Sequence, residues 1–272
     1  MLRKLIKHEF RATARIMGPL FLIMLVLSLL ANLSLRFLMD SRQFLLNILG
    51  VLMLAAFGIG MAALIIMAIV LMVNRFKSNL MGDEGYIMFT LPASSHQIVW
   101  SKIIVSTVWF VATGVVEVLS GLICAMDLKL LKELFSTESF HQMMMLLQEA
   151  IEKYGVNVPA VIFEFLLLCL LSCAVMCLGF YAALATGHSF ANHKMLLSVA
   201  FFFGFQFALQ FLGSVVSYGM SRMGLFDWNM NFMSTMGQFH LMMLVMLGSE
   251  LLVGAIYYGI TTVMLKKHLN LQ

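Results

Sequence analysis

Six long runs of apolar residues dominate the chain, and short stretches that hold most of the charged side chains separate them. A helix that spans a bilayer needs roughly 20 mostly apolar residues. The second run is the clearest, because no charged residue occurs between Gln43 and Asn74. The pattern predicts six transmembrane helices, over residues 16–37, 44–73, 98–126, 158–186, 195–220 and 239–265.

The same pattern lacks the strict alternation of apolar and polar positions that the strands of a membrane barrel show. Helices are then the remaining way to cross a membrane with every backbone group satisfied. Composition agrees, since 62% of the 272 residues are hydrophobic and only 11% are charged. These values exclude a soluble enzyme, a disordered chain and a nucleic-acid binder. We therefore predict an all-α integral membrane protein in which residues 1–272 form a single membrane domain.

Lysine and arginine are distributed unevenly around the predicted spans. If the N-terminus is cytoplasmic, eleven of the 17 basic residues lie on that side and six on the other. Basic residues accumulate in cytoplasmic loops of membrane proteins. The count predicts that both termini are cytoplasmic.

The N-terminal residues form a basic, amphipathic pattern. Basic side chains recur every four residues, with apolar ones opposite them, and Gly18-Pro19 follows. This predicts an interfacial helix over residues 1–17 that lies in the lipid headgroup layer and ends at Gly18-Pro19. Simple positive-inside anchoring is the alternative. The basic positions are Arg3, Lys7, Arg11 and Arg15.

Two predicted outer loops are longer than simple turns. Residues 127–157 carry apolar side chains at helical spacing, a capping box at Ser139 and Gln142, and Gly155 beyond them. They predict a short external helix. Residues 221–240 mix aromatic and amide side chains, which favours the membrane interface and is compatible with a shallow re-entrant segment.

The predicted cytoplasmic loop over residues 74–97 has a distinctive centre. Asp83 and Glu84 precede an apolar cluster that ends at Pro92, which predicts a short helix. Such a helix would present Tyr86 and Phe89 as a docking element, although a plain interfacial turn fits the spacing equally well. A second capping box, Ser94 with Gln97, is predicted to open the third span.

The loop, the basic N-terminus and the six spans together resemble the ABC-2 type permease family, and within it the small permeases of bacterial export systems. The matching residues are Asp83-Glu84-Gly85-Tyr86, Thr90-Leu91-Pro92 and Ser101-Lys102. A long, helix-bearing loop between the third and fourth spans departs from that family.

The resemblance implies a coupling helix in this loop, a connecting helix at the N-terminus and re-entrant segments between the last two spans. It further implies export of an amphipathic or hydrophobic substrate across the inner (plasma) membrane of a bacterium, with a second permease copy or a homologous permease as partner. ATP and Mg²⁺ would belong to a separate ATP-binding subunit. The implied ATPase-coupling residues are Asp83, Glu84, Tyr86, Phe89, Leu91 and Pro92.

Motifs for chemistry within the chain are missing from the sequence. The sequence contains no G-x-x-x-x-G-K-[ST] phosphate loop, G-x-S-x-G or H-E-x-x-H. Cys169, Cys173 and Cys177 share one helical face inside a span, where packing is favoured over a thiolate metal site. We expect neither enzyme activity, nor a cofactor, nor a metal site in this chain. His96, His188 and His193 fall in predicted cytoplasmic loops, where we expect solvated side chains.

Three carboxylates, Glu117, Glu164 and Glu250, fall inside predicted spans without a Lys or Arg at similar depth. A charged, lipid-facing carboxylate there is costly. They either form an acidic vestibule on a substrate path or are protonated acids bonded to a neighbouring helix. Gln206 and Gln210, four residues apart in the fifth span, suit either arrangement. If they carry coupling protons, the chain is instead a proton-coupled secondary transporter. A membrane sensor or assembly factor without transport is a third hypothesis.

Overall fold

A computed structural model describes residues 1–38, 43–82, 94–127, 136–155, 157–190, 192–222 and 236–267. Seven α-helices occur in these ranges, and a five-residue π-helical segment, Ser34–Leu38, continues the first. The helices are α1 Leu2–Leu33, α2 Phe44–Met81, α3 Ser95–Ala125, α4 Thr137–Tyr154, α5 Val158–Gly187, α6 Lys194–Arg222 and α7 Met236–Lys267.

All of these helices except α4 are long and apolar enough to cross a membrane. The predicted number of spans is therefore confirmed. Each predicted span falls within one of these helices to within one residue, when the π-helical segment Ser34–Leu38 is counted with α1. In the most apolar window of each span, only 6% to 22% of the residues are buried. Such exposed apolar surface fits a lipid surrounding. The described residues contain no strand, so the all-α membrane architecture is also confirmed.

The predicted break at Gly18-Pro19 is wrong, because α1 runs through Pro19 without interruption. Proline removes one helical hydrogen bond, and packing along one side of α1 compensates for that loss. The four basic positions are exposed. The placement of residues 1–17 in the headgroup layer stays a prediction. The buried side of α1 is formed by Glu9, Thr13, Met17, Met24, Ser28 and Ala31.

Contacts with Trp109 of α3 help to hold the N-terminal part of α1. Its indole N–H donates to Thr13 Oγ1 at 2.7 Å, and its ring stacks on Phe10 with 4.9 Å between centroids. Glu9 Oε2 lies 3.9 Å from Arg75 Nε of α2. These contacts explain why residues 2–17 continue as part of a helical bundle.

The chain divides into two compact units. The first comprises Met1–Arg75 and Ile104–Gln142. Its apolar core joins α1, α2 and α3 through Met24, Phe57 and Cys124. At one end, the Asn32 amide donates to the carbonyl oxygens of Ile123, Cys124 and Met126 at 2.9, 3.0 and 2.8 Å. Asn32 therefore caps the C-terminus of α3, where carbonyl groups lack partners within the helix.

The second unit comprises Phe76–Ile103 and Met143–Gln272. In it, α5 packs against both α6 and α7. The α5–α7 packing is close at Gly254, where an added Cβ would meet Val175 Cγ2 at 3.1 Å. The end of α2 reaches this unit through Phe76, whose ring stacks on Tyr181 of α5 with 4.0 Å between centroids.

The helix predicted within residues 127–157 is confirmed as α4, and Gly155 follows it with φ +64°. This left-handed conformation suits glycine, which carries no Cβ. The position of α4 outside the membrane stays a prediction. The predicted capping box at Ser139 is wrong by one turn, because Ser136 Oγ accepts from the Ser139 backbone N–H at 3.1 Å. The cap predicted for the third span is confirmed, with Ser94 Oγ accepting from the Gln97 N–H at 3.3 Å.

Candidate functional site

The predicted ATPase-coupling residues all lie outside the described residues, since they fall within 83–93. The proposed re-entrant segment falls largely within 223–235, which is also outside the description. Both therefore stay predictions. The residues in question are Asp83, Glu84, Tyr86, Phe89, Leu91 and Pro92.

The helix ends that border residues 83–93 are among the best-buried parts of the second unit. Phe76 and Leu80 near the end of α2 are 0% and 1% exposed, and Ile98 and Val99 near the start of α3 are 1% and 0% exposed. Lys102, one turn further along α3, is also buried. Residues 83–93 thus connect two helix ends that are fixed by packing.

A cluster of polar and aromatic side chains joins the start of α3 to the end of α7. Lys266 Nζ lies 3.1 Å from His96 Nε2, and His96 Nδ1 lies 2.6 Å from the Tyr258 hydroxyl. Because lysine only donates, Nε2 accepts and the Nδ1–H donates to Tyr258. Trp100 lies against the same tyrosine, with 5.8 Å between ring centroids. The prediction of a solvated His96 is correct for its exposure but misses these partners.

The corner between α5 and α6 is built around His188. This side chain is buried, its Nδ1–H donates to the Leu184 carbonyl oxygen at 3.0 Å, and Ser198 Oγ lies 3.3 Å from the same nitrogen. The prediction of a solvated His188 is therefore wrong. At the same corner, a Cβ on Gly187 would lie less than 3.0 Å from the backbone of Ser198. Only glycine allows this approach.

Burial lowers the pKa of His188 below its ordinary value of 6.5, because the charged imidazolium loses its hydration. The hydrogen bond to the Leu184 carbonyl raises the pKa, and the positive charges of Lys77 and Lys194 lower it. The two lysines also show that the ends of α2 and α6 lie near this corner.

Glu164 pairs with a histidine that the sequence did not suggest as its partner. His240 Nδ1 lies 2.9 Å from both carboxylate oxygens, so the pair joins α5 to α7. His240 stands at the boundary between the predicted outer loop and the sixth span. Nothing in the sequence brings it next to Glu164, since the two residues are 76 positions apart.

Glu250 is the second carboxylate that joins α5 to α7. Its Oε1 accepts a hydrogen bond from the Ser172 hydroxyl at 3.1 Å. This is the kind of contact that the hydrogen-bonded hypothesis describes for acids in a span. The vestibule hypothesis stays a prediction for Glu250.

Glu117 belongs to the first unit and differs from the other two acids. Its Oε1 is buried and makes no hydrogen bond among the residues that the structure describes. The same holds for Ser120 Oγ and Thr107 Oγ1 of the same helix.

Gln206 and Gln210 lie on the exposed surface of α6. Gln210 lines a shallow, open groove on that helix with several small and polar side chains. The predicted polar residues therefore separate into Glu117 in the first unit, the Glu164 and Glu250 contacts between α5 and α7, and the two glutamines on α6. The other residues that line the groove are Gly213, Ser214, Ser217, Tyr218 and Ser221.

No cluster of three or more His, Cys, Asp or Glu side chains that would hold a metal occurs in the described ranges. Over the same ranges the four cysteines form no disulfide.

No protein-family model, curated protein or solved structure matches this chain. The resemblance to ABC-2 type permeases therefore rests on its own motifs and on the order of its spans.

Proposed function

We propose that this chain is the permease subunit of an ABC-2 type exporter, driven by a separate ATP-binding subunit. The observation that supports this most is the burial of the helix ends around residues 83–93. A docking element transmits force only if the helices that carry it are fixed. Phe76 and Leu80 on one side, and Ile98 and Val99 on the other, supply that fixation.

The length of α2 suits it to such a role. At a rise of about 1.5 Å per residue, its 38 residues extend roughly 57 Å, while the hydrocarbon core is roughly 30 Å thick. The uncharged part ends at Val73, and Arg75 and Lys77 follow within the same helix. A stiff helical extension beyond the apolar span would connect motion of residues 83–93 to the bilayer.

The end of the second unit that carries this extension is basic. Lys266 contacts His96 at the start of α3, and the charges of Lys77 and Lys194 both act on His188. Basic residues accumulate on the cytoplasmic side. The arrangement supports the proposal that this end faces the cytoplasm, in the inner (plasma) membrane of a bacterium, with both termini inside.

The partners follow from the same proposal. The ATP-binding subunit would hold ATP and Mg²⁺, and a second copy or a homologous permease would complete the transporter. The substrate would be amphipathic or hydrophobic. The test is purification of the native complex from the source membrane, followed by identification of its subunits. An ATP-binding subunit in the complex supports the proposal, and its reproducible absence contradicts it.

A proton-coupled secondary transporter is the second candidate function. The observations that favour it are the Glu164–His240 pair and the buried Glu117 oxygen without a described hydrogen-bond partner. Transport by the purified chain in vesicles separates the two candidates. Transport that follows a proton gradient without nucleotide favours this second candidate, while dependence on an ATP-binding subunit favours the first.

A further inference from the structure

The three carboxylates inside the spans have different surroundings. Glu164 lies against His240, and Glu250 accepts a hydrogen bond from Ser172. Within the described part of the chain, Glu117 Oε1 has no hydrogen-bond partner, although it is buried. The sequence offers no means of ranking these three acids, whereas their contacts separate Glu117 from the other two.

Glu117 lies beside the apolar core of the first unit. Val116 packs against that core and Cys124 belongs to it, together with residues of α1 and α2 such as Met24 and Phe57. Ser120 is three residues from Glu117, so the two share one side of α3, and Ser120 is 0% exposed with an unpartnered Oγ over the described residues. One carboxyl oxygen of the half-buried Glu117 and the Ser120 hydroxyl are thus both buried on the side of α3 that carries Cys124.

Two arginines of the first unit form ion pairs with acids other than Glu117. Arg36 Nη1 lies 3.3 Å from Asp127 at one end of the unit, and Arg75 Nε lies 3.9 Å from Glu9 towards the other. The remaining basic residues of α1, such as Arg11 and Arg15, are exposed. The described helices therefore place no cation against Glu117 to stabilise its ionised form.

We propose that Glu117 is a proton-binding site inside the first unit, and that its carboxyl group is protonated at neutral pH. A buried carboxylate without a cation or hydrogen-bond donors is costly, and protonation removes the charge. Glu164 is the opposite case, because His240 Nδ1 lies 2.9 Å from both of its carboxyl oxygens. Release of the proton from Glu117 requires that water or a hydrogen-bond donor reaches its buried oxygen.

This inference goes beyond the proposed function, because it identifies a proton as the ligand of one residue whatever energy source drives the protein. Infrared spectroscopy of the full chain in lipid nanodiscs at neutral pH tests it. We expect the carbonyl band of a protonated carboxylic acid in the wild type and in Glu164→Gln, and a lower intensity of that band in Glu117→Gln. A band that survives Glu117→Gln unchanged, or that disappears in Glu164→Gln, overturns the proposal.

Chemical labelling provides a second readout that does not depend on assigning a band. An apolar carbodiimide adds to a protonated carboxyl group in a membrane and remains attached after rearrangement to an N-acylurea. We expect peptide mass spectrometry to find this adduct at Glu117 and not at Glu164, while a water-soluble carbodiimide with an added amine leaves Glu117 unmodified. Failure of the apolar reagent at Glu117, or modification by the water-soluble one, overturns the proposal.

Discussion

The Nδ1 atom of His240 lies 2.9 Å from both carboxyl oxygens of Glu164, so a polar contact joins the first turns of α7 to the first turns of α5. Both side chains are partly buried, with 27% and 17% of their surface exposed. A partly buried contact of this kind is stronger than one between two fully solvated side chains. It explains how an acid within a span is accommodated without a lysine or arginine.

Glu164→Gln should lower the free energy of unfolding by about 1.5–3 kcal/mol, because it removes the carboxyl group that His240 contacts. His240→Ala should cost a similar amount, and the double variant should cost less than the sum of the two. Thermal unfolding in one detergent measures all three. The matched control is Glu149→Gln on the exposed surface of α4, which should change stability little. Additive single effects would contradict a direct Glu164–His240 interaction.

Gly187→Ala should destabilise the corner between α5 and α6. The new Cβ would lie less than 3.0 Å from backbone atoms of Ser198, so a helix must shift. We expect a loss of about 1–3 kcal/mol, as for other overpacked sites. Gly213→Ala on α6 is the control, because nothing lies within 4 Å of its Cβ position and alanine favours helix. Gly187→Ala should therefore lower the thermal midpoint, whereas Gly213→Ala should raise it. Equal thermal midpoints for the two variants would argue against the close α5–α6 contact.

His188 should make stability depend on pH. Its pKa in the folded protein is lowered from the ordinary 6.5, so the folded state binds fewer protons than the unfolded state between the two pKa values. The folded protein is therefore most stable above pH 6.5, where His188 is neutral in both states. Its stability falls as the pH drops from 6.5 towards the lower pKa that His188 has in the folded protein. His188→Gln should reduce this fall in thermal midpoint, whereas His141→Gln, on an exposed part of α4, should retain it. If the thermal midpoint depends on pH identically in wild type and His188→Gln, His188 is excluded as the source of the pH dependence.

The orientation in the membrane can be tested with single cysteines in a background without the four native ones. Glu138→Cys at the start of α4 and Asn192→Cys between α5 and α6 are both at exposed positions. Because the basic helix ends are proposed to face the cytoplasm, an impermeant thiol reagent should label Glu138→Cys from outside intact cells. Asn192→Cys should react only after the membrane is permeabilised. If only Asn192→Cys is labelled from outside, the protein has the opposite orientation in the membrane.

The spans were predictable because a run of about 20 apolar residues has few other structures open to it. The continuation of α1 through Pro19 could not be predicted, because proline normally interrupts a helix. The contacts that hold this part of α1, such as that of Trp109 with Thr13, join residues 96 positions apart in the sequence. The N-terminal cap of α4 was assigned to the wrong serine. Ser136 and Ser139 are both able to accept a hydrogen bond from a helix N-terminus, and they lie one turn apart. The burial of His188 depends on how two helices meet, which periodicity does not report.

The proposed function depends on residues 83–93, which would couple a permease to a separate ATP-binding subunit. Aromatic anchors in an interface carry much of its energy, and truncating one typically costs about 2 kcal/mol or more. The most direct test measures whether Tyr86→Ala and Phe89→Ala retain that subunit and its ATP hydrolysis. The control is Phe140→Ala on α4, where the Phe140 side chain is 59% exposed. We predict that the first two variants insert normally but lose the subunit or its stimulated hydrolysis, while Phe140→Ala keeps both. Wild-type retention and hydrolysis in Tyr86→Ala and Phe89→Ala would contradict the account.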